Sequence, residues 1–185
     1  MSTLERAFVL AVSAIVLASC ASEPMESSSA ALGKGPGLGQ TASAAELAAI
    51  DIIIPPSGAG LPAGGGDARA GAQVYAAKCQ VCHGAKGAGK PADALVGGSG
   101  TLASDNPVRT VGSYWPHATT LFDYTRRAMP VTAPRSLTND EVYAVTAYIL
   151  HLNGIIAEDQ AMNARTLPTV KMPNRDGFVD YSRMR

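Results

Sequence analysis

The chain has 185 residues, in which 15 Lys and Arg balance 15 Asp and Glu, so its formal charge is zero. It carries no basic run, and nucleic acid is excluded as an expected partner. No internal repeat and no second copy of its one dense cysteine motif is present.

The polar start Met1 to Arg6 is followed by the apolar run AFVLAVSAIVL and then LASC. That run falls short of the about 20 residues that span a bilayer, and it reads as a cleaved signal segment over residues 1–19. Leu17 to Cys20 resembles the lipobox of bacterial lipoproteins, in which the cysteine becomes the new N-terminus and carries acyl chains; Glu5 is out of keeping with such a signal. The competing readings are an ordinary cleaved signal with an incidental Cys20, or a buried N-terminal helix. Lipidation at Cys20 implies a protein of the bacterial periplasm, anchored to a membrane surface.

Residues 20–66 are dominated by Ala, Gly, Ser and Pro, with too little bulk to bury a core, and read as a flexible tether. The apolar island AAIDIII, ending at Ile54, either lies against the domain or a partner, or is a sticky patch in the linker. The compact part that remains is small for a hydrophobic core acting alone.

From Asp67 the pattern is helical. Asp67 is an N-cap candidate, and Gly71, Tyr75, Cys79 and Cys82 or His83 fall on one stripe before Gly84. The stretch ATTLFDYTRRAM predicts a shorter helix that ends before Pro130. TNDE is a capping box, with Glu141 at its third helical position, and opens a helix that runs to Gly154; its apolar stripe is Val142, Val145, Ile149 and Leu152, with Tyr148 alongside. No segment alternates as a strand does, so the expected class is all-α with long loops.

The string CQVCHGAK, from Cys79, now carries the chemistry. Zinc would require four ligands, a thioredoxin-type dithiol would require a βαβ setting, and a plain disulfide leaves His83 unexplained. Cys-x-x-Cys-His fits covalent attachment of one haem c, with Cys79 and Cys82 bonded to the vinyl groups and His83 facing the iron. Haem would also supply the apolar bulk that the domain lacks. A sixth ligand is then required, and Met129, in RRAMP, is the leading candidate, because Pro130 stops the helix and lets its side chain be directed elsewhere. Met162, Met172 and Met184 are the other methionines; His117 is the reserve ligand, and His151 reads as a rim residue. Arg126 and Arg127 either border the exposed haem edge and steer an acidic partner or form a solvated face.

Residues 67–155 resemble class I cytochromes c: Gly71 and Tyr75 match the glycine and aromatic of that family's N-terminal helix, and Val145 and Tyr148 match their partners on its C-terminal helix. The resemblance implies close crossing of those helices at Gly71, a bond from the far nitrogen of His83 to the Pro91 carbonyl, and Tyr114 and Trp115 near a haem propionate. It also leaves two readings for VGGSGTL, backbone running close to the ring or a flexible loop. TVGSYWPHATTLFDYTRRAMP, LTNDEVYAVTAYILHLNGII and MPNRDGF resemble the cytochrome subunits of molybdenum sulfite and sulfane dehydrogenases, including that of the Sox system. The Sox subunit often has a second haem domain, and here the tether takes that place.

The expected function is single-electron transfer. The donor is a molybdenum sulfite or sulfane dehydrogenase subunit, and the acceptor a downstream cytochrome or oxidase; by itself the chain is not expected to be a catalyst. The alternatives are a generic membrane-anchored respiratory carrier, and a haem peroxidase or gas-binding protein with an open iron site. Residues 156–185 form a C-terminal extension, expected either to touch the molybdenum subunit or to fold back on the domain.

Overall fold

The computed structural model describes residues 38–183. Residues 38–43 belong to a separate unit and hold no helix or strand. The second unit contains α1 (Ala44–Ile50), β1 (Gly65–Gly66), α2 (Ala68–Lys78), α3 (Gln80–His83), α4 (Ala118–Ala128), α5 (Asn139–Leu152) and β2 (Met162–Asn163), with short 3-10 turns between and after them. None of its helices is long and apolar enough to cross a membrane. The signal segment and Cys20 lie outside the described residues, as does Met184.

The helix starts follow their caps. Asp67 accepts a bond from the Ala70 N–H at 2.9 Å, and Thr138 and Glu141 close both halves of the capping box at 3.2 and 2.8 Å. Gly154, at φ +68°, sits just beyond the end of α5 in the left-handed conformation that glycine tolerates. The helix that opens at Asp67 does not run unbroken to Gly84. It bends at Cys79, whose backbone (φ −122°, ψ −38°) separates α2 from the single turn α3.

The core forms where α2 and α4 pack on α5. Gly71 faces the Ala144 carbonyl directly; a Cβ there would overlap that oxygen and come within 2.7 Å of Tyr148 Cβ. Tyr75 and Tyr148 stack beside this point at 5.3 Å, and Phe122 of α4 meets Tyr143 at 4.4 Å. Residues 142–147 of α5 are all buried, a wider face than the stripe predicted, because the N-terminal segment and the tail cover the sides that α2 and α4 leave.

Those coverings revise the expected boundaries. The stretch from Ile54 to Gly66, expected as tether, lies on the domain. Ile54 is buried and its N–H donates to Asp123 Oδ1 at 2.9 Å. Thr119 Oγ1 donates to Pro56 O at 3.2 Å and Tyr143 OH to Pro62 O at 2.9 Å. Gly65 and Gly66 pair with Asn163 and Met162 as a short antiparallel ladder. Of the apolar island, Ile54 is buried and Ile52 half-buried, while Ile50 and Ile53 are exposed. In the extension, Met162, Leu167, Val170 and Met172 fold back into the core.

Asp123 joins the segment to α4. Besides the Ile54 N–H it accepts the Arg127 guanidinium, with Nη2 to Oδ2 at 2.6 Å and Nε to Oδ1 at 3.0 Å. Burial raises the carboxyl pKa, but the bonds from Arg127 and Ile54 outweigh it and hold the group below the usual carboxylate range. A depressed folded pKa contributes stability above the unfolded value, and that contribution disappears as pH falls through the folded one. Asp123→Ala strands a buried N–H and one end of an ion pair, and is expected to cost about 2–3 kcal/mol near neutral pH. Urea unfolding should show that gap shrinking on acidification; a gap that is independent of pH would contradict the assignment.

Candidate functional site

Cys79, Cys82 and His83 lie on the bend and single turn at the end of α2, all half-buried. Backbone bonds from the Cys82 and His83 N–H groups to the Cys79 carbonyl, at 3.1 and 3.0 Å, keep the three residues on one turn. Tyr75 fixes the next position, its hydroxyl donating to Gly84 O at 2.8 Å. The two cysteines are free thiols. Burial pushes the Cys79 thiol up to about 11. Among the described residues no cluster of three His, Cys, Asp or Glu side chains is arranged to hold a metal ion.

His83 Nδ1 lies 2.9 Å from the Asp93 carbonyl oxygen. A carbonyl can only accept, so Nδ1 carries a proton, and in the neutral ring the lone pair lies on Nε2. The acceptor is therefore Asp93, not the predicted Pro91. The chain folds back after Gly84, with Gly89 N–H bonding His83 O at 2.7 Å and Ala92 N–H bonding Cys82 O at 2.8 Å, and this leaves Pro91 exposed on the turn while the Asp93 carbonyl meets the imidazole. The sequence gives no signal that separates these two carbonyls.

Met129 caps α4 in extended conformation (φ −116°, ψ 146°), as a residue before proline should, and is half-buried. Met162 and Met172 are 0% and 4% exposed and belong to the core. His151 is half-buried, its Nδ1 3.3 Å from Ile156 O. Arg127 is bound to Asp123 and is not a free charge for a partner.

Trp115 is half-buried, packed on the core and edge-on to Tyr124 at 5.9 Å. Tyr114, also half-buried, contacts Phe178 at 5.2 Å. The glycine-rich loop is pinned by its own bonds: Thr101 Oγ1 donates to Gly98 O at 2.7 Å and Thr110 Oγ1 to Gly97 O at 2.6 Å. The close approach at Gly98 is to the Val108 carbonyl, which a Cβ would overlap, so an internal turn accounts for that glycine.

The donor chemistry fits covalent haem: two cysteines on one turn, an imidazole whose ring is oriented by a backbone carbonyl, and a thioether at a helix end. His117 Nδ1 is a buried polar atom without a hydrogen-bond partner among the described residues.

Residues 66–149 match the family model described as cytochrome c oxidase, cbb3-type, subunit III. None of the curated protein sequences matches the chain. Among solved structures, a chain of the sulfane dehydrogenase SoxCD from Paracoccus pantotrophus is similar, with 37% identity, a TM-score of 0.74, and coverage of 81% of this chain and 74% of that one. The helical core around Cys79, Cys82 and His83, the match over the haem-motif region and the likeness to SoxCD together place the chain in the c-type cytochrome family, whose members bind haem c covalently.

Proposed function

We propose that the protein carries one haem c and accepts electrons singly from a molybdenum sulfite or sulfane dehydrogenase subunit, passing them to a downstream cytochrome or oxidase. The observation that carries this reading is the extent of the likeness to SoxCD: it covers 81% of the chain, well beyond the 66–149 region common to the broader family. Bound haem supplies a one-electron iron couple. Cys79 and Cys82 would hold it, His83 and Met129 would donate to the iron, and Tyr114 and Trp115 would line its pocket. The Asp93 carbonyl accepts from His83 Nδ1 and holds the ring in one orientation. With His83 and Met129 both given to the iron, no iron site would be left for substrate, and the bond chemistry would belong to the partner.

Met129→Ala should abolish the sulfur-to-iron charge-transfer band of the oxidised protein and lower its potential, because a soft thioether favours ferrous iron. Met162→Ala and Met172→Ala should keep the band while losing about 2–4 kcal/mol of stability as core truncations. Survival of the band without Met129 would assign the ligand elsewhere.

Oxidation of sulfite to sulfate releases two electrons, so each turnover of the partner requires two successive transfers. The purified protein should therefore stay oxidised with sulfite or thiosulfate alone, and become reduced by sulfite, or by the sulfane-loaded carrier protein, once the cognate molybdenum subunit is added. The described family model favours a second reading, a respiratory carrier for a terminal oxidase. Rapid reduction by a quinol-oxidising complex with none by the molybdenum subunit would select it.

Lipidation at Cys20 would confine the domain to the periplasmic face of a membrane, within reach of donor and acceptor there. Cys20→Ser should move the protein into the soluble periplasmic fraction with its haem intact; a variant still held in the membrane would count against the anchor.

A further inference from the structure

The segment Met172 to Phe178 lies on the loop that carries Tyr114 and Trp115. Its near end is secured in the core, with Leu167, Val170 and Met172 at 0%, 5% and 4% exposure. Beyond that point Asn174 Nδ2 donates to the Tyr114 carbonyl at 2.7 Å. The Phe178 ring meets the Tyr114 ring edge-on at 5.2 Å, and the Arg109 guanidinium lies 5.5 Å from the same ring. Asn174 is itself held by a tight turn, in which the Gly177 N–H bonds the Asn174 carbonyl at 3.2 Å. A Cβ on Gly177 would overlap Asn174 Oδ1, so a side chain there would displace the Asn174 amide.

Pro173 and Asn174 line, together with Ser99, Leu102 and Ser113, a cleft of about 280 Å³. The Asn174 bond and the Phe178 ring tie the tail directly to Tyr114. We infer that Asn174 and Phe178 are positioning residues that hold Tyr114, and through it the adjoining Trp115, at the haem. The inference rests on the reading of Tyr114 and Trp115 as haem-pocket residues. It gives this part of the extension an intramolecular role, where the sequence allowed a partner-binding arm.

Trp115 is the single tryptophan of the chain, so its emission reports this distance without interference. Haem quenches a nearby indole by energy transfer. The test uses the full-length haem-loaded protein, its guanidine-unfolded form as the unquenched reference, and the variants Asn174→Ala, Asn174→Asp and Phe178→Ala. Aspartate keeps the size of Asn174 but brings no N–H. Phe178 is 51% exposed, so its truncation spares the fold and decides the matter if an Asn174 variant does not accumulate. We expect strong quenching in the folded wild type, a several-fold rise in emission in the variants, and a shifted midpoint potential with the axial-ligand band unchanged. Wild-type emission as bright as the unfolded reference would remove Trp115 from the haem and sink the underlying reading. A quenched wild type whose Asn174→Asp and Phe178→Ala variants match it in both emission and potential would overturn the positioning role alone.

Discussion

Because Gly71 has no side chain, α2 lies with its backbone against the Ala144 carbonyl of α5, and the rest of the domain is arranged around that contact. The crossing brings Tyr75 onto Tyr148 and Lys78 within 2.7 Å of Glu141, the residue that also caps α5. Tyr75 then reaches Gly84, so the turn bearing both cysteines and His83 takes its position from the same contact. Glycine inside a helix costs about 1 kcal/mol relative to alanine. Here the backbone approach that only glycine permits offsets that cost through the burial of two tyrosine rings and most of α5.

The proposed site draws on two pieces of the chain: the bend at Cys79, with its thiols and imidazole, and the end of α4, where Met129 is in extended conformation. The two pieces are held by different means. The Cys79 turn is fixed by short-range backbone bonds and the Tyr75 hydroxyl. Helix α4 is fixed by Phe122 on Tyr143 and by Asp123, whose partners come from its own helix and from the N-terminal segment.

What could be read in the sequence was what local chemistry determines. Asp67, the TNDE box, Gly154 and Pro130 each mark a helix end through a bond or a steric limit within a few residues, and each end falls where that chemistry puts it. Gly71 was legible through resemblance, and the contact at Ala144 accounts for it. The misplaced features depend on distant partners. Whether Pro91 or Asp93 meets His83 is decided by how the chain folds back after Gly84. Ile54 sits in a stretch whose composition suits a tether, and its burial depends on Asp123, 69 positions away. The pairing of Gly65 and Gly66 with Met162 and Asn163 leaves no side-chain pattern to detect.

The docked N-terminal segment also determines how the domain bears load. A pull along the chain from the N-terminal side meets, in order, Ile54 on Asp123, Pro56 on Thr119, Pro62 on Tyr143 and the β1–β2 pairing, all before the first residue of α2. Tension is therefore delivered to α4, α5 and the folded-back tail, and the helix leading to Cys79 lies behind these fastenings. The segment works as a strain relief, and traction on the leader can be borne without drawing the Cys79–His83 turn out of register.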